Sequence, residues 1–109
     1  MDSVIFQETA LQISADAALS IQPGITYDQL EEMLAQRLEE LISNNFQLFV
    51  LLLYKIDVAE SKVRAVLEAD ISPSAYRKIA ALLIERQQQK IISRKESKKP
   101  IDDDDEEKW

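Results

Sequence analysis

The chain has 109 residues, of which 46 % are hydrophobic and 30 % charged, and its formal net charge is −7 at pH 7. One Gly and three Pro leave few of the tight turns that β-hairpins need, so this composition favours a single all-α domain. The absence of Cys excludes disulfides and thiolate zinc sites, and the absence of His removes the commonest general base and metal ligand. We therefore predict a protein that is not an enzyme and has no cofactor or metal site.

The first half of the chain predicts two helices. Apolar residues recur every three or four positions over 4–21, and the Gln-Pro-Gly at 22–24 should end that helix. Thr26 and Gln29 then have the spacing of a capping box for a second helix near 27–43. Its apolar stripe lies opposite an acidic face, as expected of a half-buried helix. The stripe consists of Leu30, Leu34, Leu38 and Leu41.

The most apolar part of the chain, FQLFVLLLYKI at 46–56, follows a Ser-Asn-Asn break. Its uninterrupted apolar run, 48–54, is far shorter than the roughly 20 residues needed to cross a bilayer, so we predict no membrane association. The leucine-rich composition favours a helix over a strand. A helix that is apolar on nearly every side is typical of a core, so we place this segment at the centre of the bundle.

A fourth helix is predicted near 58–69. Asp57 and Glu60 have the spacing of a reciprocal N-terminal cap for it. This structural role is sufficient to explain a pair of acids that would otherwise suggest catalysis. The side chains predicted to face inward are Ala59, Val63, Val66 and Leu67.

The fifth and longest helix is predicted near 73–95, with Ser72 as its N-cap and Pro73 at its first position. Its first half is rich in core-forming residues, whereas its second half is polar and basic and should extend past the core. Six acids at 102–107 repel one another and offer nothing to bury. We therefore divide the chain into a helical domain at 1–97 and a disordered acidic tail at 98–109, in which Trp109 is the final residue.

A basic stripe on the fifth helix is the clearest candidate binding feature, because bases four residues apart share one helical face. Such a stripe can follow a phosphate backbone, and Gln87–Gln89 would add hydrogen bonds. The competing interpretation is a solvated helix end whose cations favour the macrodipole. We call this set the candidate anion-binding face; it comprises Arg86, Lys90, Arg94, Lys95 and Lys98.

A DNA-binding helix-turn-helix motif is a further alternative for the function of the last two helices, because a short turn separates them. Ser74, Arg77 and Lys78 would then lie where such motifs contact bases. The apolar sequence IAALLI that follows indicates instead that this helix is largely buried.

The patterns LLLYKIDVAESK and ALLIERQQQKI resemble those of a group of short bacterial helical proteins to which no function is attached. The resemblance covers about residues 28–94 and implies an intracellular helical domain. It brings no activity, cofactor or site residue.

The start of the chain lacks the basic and apolar regions of a secretory signal, so we predict a cytoplasmic protein. Its apolar segments exceed what one small bundle is expected to cover, which favours a homodimeric interaction or adaptor protein with an unidentified protein partner. The alternative to a homodimer is a monomer in which the first helix covers this surface. The alternative function is binding of nucleic acid or another anion by the basic helix, modulated by the acidic tail.

Overall fold

A computed structural model describes residues 3–97 of the chain and contains no strand over that range. The all-α prediction is confirmed, including the long C-terminal helix. The predicted disordered tail, with Lys98 and Trp109, lies outside the described residues. The helices are α1 (Ser3–Ala17), α2 (Tyr27–Asn44), α3 (Phe46–Ile56), α4 (Glu60–Ala69) and α5 (Ser74–Ser97).

The core lies where α5 packs against α2 and α1, with one face of α3 completing it. Ile79, Leu83 and Ile84 of α5 are fully buried, as the apolar first half of that helix predicts. The whole leucine stripe of α2 is buried as well. These helices form because their apolar residues fall on one face at helical spacing, and the core forms by joining those faces.

The second half of α5 is buried only in part: its inward row of side chains continues as far as Ile91, whereas residues 92–96 are exposed and extend past the core as predicted. Gln87 and Ile91 are only 1 % and 4 % exposed. The reason is that α1 lies along this part of α5, as shown by the ion pair between Glu8 and Lys95. Gln87 and Ile91 continue the row begun by Leu83 at a spacing of four, which keeps them on the inward face.

Helix α1 ends at Ala17, before the predicted end at residue 21. Ala18 adopts a left-handed conformation with φ 59°, and the N–H of Leu19 donates to the carbonyl of Ser14 at 2.8 Å. This is the hydrogen bond of a Schellman motif, formed here without glycine. The guanidinium of Arg37 on α2 donates to the carbonyl of Ala17 at 3.0 Å, so a second helix satisfies the end of the first.

Replacing Ala18 with Gly should therefore stabilise the fold. Left-handed backbone costs an L-residue about 1–2 kcal/mol, and the greater freedom of Gly in the unfolded chain offsets part of that gain. We expect a net increase of about 0.5–1 kcal/mol in the free energy of unfolding by urea titration. The matched control is Ala15→Gly inside α1, which should lose about 1 kcal/mol. A loss at both positions would contradict the left-handed end.

The predicted capping box at the start of α2 is present. The N–H of Gln29 donates to Thr26 Oγ1 at 3.1 Å, and the N–H of Thr26 donates to Gln29 Oε1 at 3.0 Å. At the break before α3, Asn45 Oδ1 accepts from the N–H of Leu48 at 3.3 Å. Both starts rest on short polar side chains that satisfy otherwise unpaired helical donors.

The predicted reciprocal cap between Asp57 and Glu60 is wrong. Asp57 adopts a left-handed conformation with φ 69° and ends α3, while its N–H and that of Val58 both donate to the carbonyl of Leu53. Helix α4 begins at Glu60 without a side-chain cap, and Glu60 pairs with Arg64 instead. Asp57 thus closes the preceding helix, which is a position where Asp tolerates positive φ.

At the start of α5 the helix begins at Ser74, one residue after the predicted first position at Pro73. The hydroxyl of Ser72 donates to Asp70 Oδ1, and the N–H of Ala75 donates to the backbone carbonyl of Ser72 rather than to this hydroxyl, which was predicted to act as the cap. Ser74 and Lys78 also donate to the carboxylate of Asp70. Asp70 is therefore the residue that organises this turn.

The hydrogen bonds from Ser72, Ser74 and Lys78 hold the pKa of Asp70 well below its usual range. Because its pKa is lower in the folded state, the carboxylate stabilises the fold above the unfolded pKa of about 3.9, and this stabilisation is lost as the pH falls. Asp70→Asn should therefore be less stable than the wild type at pH 7. Urea titrations should show that difference shrinking steadily below about pH 4. A difference independent of pH would contradict the assignment.

Candidate functional site

Helix α3, which was predicted to lie at the centre of the bundle, is buried on one face only. Its inner face consists of Phe49, Leu52, Leu53 and Ile56, all at most 3 % exposed. On the opposite side four large apolar residues face outward. We call them the α3 outer face: Phe46 is 51 % exposed, Leu48 44 %, Leu51 51 % and Tyr54 81 %.

An open groove of about 760 Å³ adjoins this face between α3, α4 and α5. Tyr54 belongs to both surfaces, and Val50, Val58 and Leu82 supply further apolar lining. The groove is open because α4 packs lightly: Val63 is its only fully buried residue, and Ala59, predicted to face inward, is exposed. We call it the α3–α5 groove.

The remaining exposed large apolar residues are spread over the other elements. They include Leu11 on α1, Ile92 on α5 and Ile71 in the loop before α5. Single exposed apolar side chains are normal on a protein surface, whereas a cluster commonly marks an interaction site. The α3 outer face, with four such residues within nine positions, is the densest cluster in the described part of the chain.

Two members of the candidate anion-binding face bind the end of α3. Arg86 donates to Asp57 through Nη2 to Oδ2 at 2.8 Å and through Nε to the carbonyl at 3.1 Å. The ammonium of Lys90 donates to the carbonyls of Lys55 and Ile56 at 3.0 and 3.3 Å. The hydrogen bond from Arg86 lowers the pKa of the Asp57 carboxyl. Both cations satisfy C-terminal carbonyls and complement the helix dipole.

The other members are divided between two surroundings. Lys95 forms an ion pair with Glu8 at 3.0 Å, and Lys98 lies outside the described residues. Arg94 lines a pocket together with Arg86 and Lys90. The predicted stripe therefore faces α1 and the end of α3 along much of its length. Whether it binds an anion stays a prediction.

This pocket, which we call the basic pocket, has a volume of about 580 Å³ and lies between α1, α5 and the end of α3. Gln87 is its buried wall, and the oxygen of its side-chain amide has no hydrogen-bond partner in the described residues. The burial of Gln87 was not predicted from the sequence. Its spacing of four from both Leu83 and Ile91 is the pattern that indicates an inward position. The pocket is lined by Gln12, Asp16, Lys55, Arg86, Gln87, Lys90, Ser93 and Arg94.

The residues of the helix-turn-helix alternative contact acids of their own fold. Arg77 donates to Glu31 at 2.8 Å and to Asp28 at 2.9 Å, which joins α5 to α2. Ser74 and Lys78 both bind Asp70, as described above. To contact DNA bases, these side chains would have to give up their present partners, so the geometry does not support a DNA-binding helix-turn-helix motif.

Within residues 3–97 no helix is long and apolar enough to span a membrane, and no group of three or more metal-ligating side chains occurs. Comparison with known proteins finds no matching family model, no matching curated protein and no matching solved structure. The resemblance to short bacterial proteins therefore stays a prediction. The surfaces that can support a proposed function are the α3 outer face with the adjoining α3–α5 groove, and the basic pocket.

Proposed function

We propose that this chain is a small, non-enzymatic interaction protein of the cytoplasm that forms a homodimer through the α3 outer face. The observation that supports the proposal is the exposure of Phe46, Leu48, Leu51 and Tyr54 on one side of a single helix. Water contact with these side chains is unfavourable, and pairing with the same surface of a second copy removes it from both at once.

The size of the effect favours a moderate affinity. Full burial of a large apolar side chain contributes about 1.5–3 kcal/mol, so covering the exposed half of each contributes about 1 kcal/mol. The eight side chains of a symmetric dimer then supply about 8 kcal/mol, which is of the same order as the cost of association and only offsets it. The surplus that sets the affinity must come from covering the apolar lining of the α3–α5 groove. We therefore expect a dissociation constant no tighter than the micromolar range.

A dimer with two-fold symmetry can cover both the α3 outer face and the apolar lining of the α3–α5 groove. With α3 packed against its symmetry mate, Leu51 lies near the axis because it is central on the outer face. Tyr54 of each copy then reaches toward the α3–α5 groove of the other, beside Val50 and Val58. The charged groove residues Glu60 and Lys62 are left at the rim, where interfaces are usually polar.

Binding of nucleic acid has weaker support. Arg86, Lys90 and Lys95 all have partners in the fold, and phosphate binding would compete with those contacts. Removing Arg86 or Lys90 from the carbonyls of α3 would also leave that helix end unsatisfied.

Sedimentation equilibrium over roughly 1–200 µM tests the proposal. The mass should rise from 12.5 kDa toward twice that value. High salt should leave the association intact or strengthen it, because apolar burial drives it. A monomer at every concentration would contradict the proposal, and dissociation by moderate salt would assign the contact to charge instead.

A further inference from the structure

Helix α4 is the most weakly attached helix in the described part of the chain, and its main packing is against α5 alone. Val63 is its one fully buried residue, and Val66 and Leu67 are only partly buried against the core. Its ion pair between Glu60 and Arg64 lies within the helix and is exposed. Among the described residues, no side-chain hydrogen bond or ion pair joins α4 to another helix. The burial of these few apolar side chains is therefore the main contribution that holds α4 in place.

The first turn of α4 lacks the features that stabilise the start of a helix. Ala59, its N-cap residue, has the extended backbone that is typical of an N-cap, but its side chain accepts no hydrogen bond. No side chain therefore satisfies the first N–H groups of the helix. A helix of 10 residues is marginal by itself in water, so α4 depends on its light packing.

The chain is tied firmly to α5 on both sides of α4. Before the helix, the carboxylate of Asp57 accepts from Arg86 Nη2 at 2.8 Å, and its carbonyl accepts from Arg86 Nε at 3.1 Å. After the helix, the carboxylate of Asp70 accepts from Ser74 and Lys78, both of α5. We call Asp57 and Asp70 the anchors of α4. A weakly attached helix thus lies between two fixed points.

We propose that α4 is a gate on the α3–α5 groove. It opens by local unfolding between the two anchors while the other helices stay folded, and a second copy of the chain bound in the groove holds it closed. Val58, Glu60 and Lys62 form the α4 side of the groove, so this wall is lost when α4 unfolds. The closing role of the second copy rests on the proposed homodimer, whereas opening is a property of the single chain.

Hydrogen exchange of the wild-type chain at about 1 µM, where it is monomeric, tests the opening. The amides of α4 should be at least about a hundredfold less protected than those of Leu34 and Leu38 in α2, because local opening costs less free energy than global unfolding. Their protection should also depend only weakly on urea, since local opening exposes little surface. Equal protection of α4 and α2, with the same dependence on urea, would overturn the proposal.

A matched pair of substitutions shows whether α4 opens separately. Ala65→Gly inside α4 should lower the protection of α4 about fivefold, because Gly disfavours a helix. Ala35→Gly makes the same change inside α2; it should lower the protection of α2 by a similar factor or more and leave that of α4 unchanged. If Ala35→Gly lowers the protection of both helices equally, α4 opens only with the whole fold, and the proposal fails.

The uncapped start of α4 provides a change in the opposite direction. Ala59→Ser supplies an N-cap side chain and should raise the protection of α4 about fivefold. The amides of α5 report in the same measurement that each variant is folded. If Ala59→Ser leaves the protection of α4 unchanged, the opening does not include the first turn of the helix, and a gate between the anchors is excluded.

Raising the protein concentration tests the closing role of the second copy. At a concentration where about nine-tenths of the chains are dimeric, the protection of α4 should be about tenfold higher than in the monomer, which is the ratio of all chains to monomers. Sedimentation equilibrium on the same sample separates the two claims. A dimer with unchanged protection of α4 would overturn the closing role and leave the proposed function intact. The absence of a dimer at about 200 µM would overturn both.

Discussion

Replacing Leu51 with Glu should make the protein monomeric at concentrations where the wild type is a dimer. Leu51 is central on the α3 outer face and 51 % exposed, so the change leaves the core untouched. In a two-fold dimer it removes apolar contact twice and places two like charges near the axis. Desolvation of a carboxylate adds a further cost. We expect the dissociation constant to rise by about a hundredfold or more, equivalent to about 2.7 kcal/mol.

The matched control is Ile71→Glu. Ile71 is 98 % exposed and lies in the loop before α5, away from the outer face. It introduces the same charge in place of a similar side chain, and its dissociation constant should match that of the wild type. If both variants lose the dimer, or neither does, the interface does not lie on α3.

Replacing Phe49 with Ala should be among the most destabilising changes on α3. Phe49 is 2 % exposed and packs on the inner face, with its ring centre 5.6 Å from that of Phe46. Loss of a buried Phe costs about 3–5 kcal/mol because a cavity remains where the ring was. Domains of this size are typically stable by about 5–15 kcal/mol, so the variant should lie near the limit of folding. Urea unfolding should be followed at a protein concentration below about 1 µM, where the protein is monomeric and dimerisation does not contribute to the free energy of unfolding.

The control for the inner face is Tyr54→Ala on the same helix. Tyr54 is 81 % exposed, and under the same monomeric conditions its loss should change the free energy of unfolding by no more than about 0.5 kcal/mol. Equal losses at the two positions would show that α3 does not have one buried and one exposed face.

The contacts of Arg86 and Lys90 connect the core to the proposed interface. By binding Asp57 and the carbonyls of Lys55 and Ile56, they fix the end of α3 against α5. Bases whose spacing suggested nucleic acid thus help to hold the apolar outer face in place.

Helix positions could be predicted from the sequence where the determining residues are close together. The capping box of Thr26 and Gln29 and the leucine stripe of α2 are local patterns, and both are present in the structure. The end of α1 could not be predicted in this way, because Arg37 reaches the carbonyl of Ala17 from twenty residues away. Asp57 was assigned to the wrong helix for a similar reason, since its partner Arg86 is distant in sequence.

The candidate surfaces were only partly predictable. The excess of apolar surface was visible in composition, but α3 is apolar on both faces, so periodicity could not tell its buried side from its exposed side. In α5 the sequence RQQQK is polar throughout, so composition predicts an exposed segment although Gln87 within it is buried. In both helices the burial of a side depends on where neighbouring helices pack.

A single cysteine tests the dimer interface most directly, because the natural chain contains none. Leu51→Cys places a thiol on the α3 outer face near the proposed axis, and Ile71→Cys provides the matched thiol on the loop. Under mild oxidation at a concentration where the wild type is dimeric, the Leu51→Cys protein should form a disulfide-linked dimer rapidly and nearly completely. The Ile71→Cys protein should do so slowly. Equal and slow cross-linking of the two variants would contradict self-association through α3.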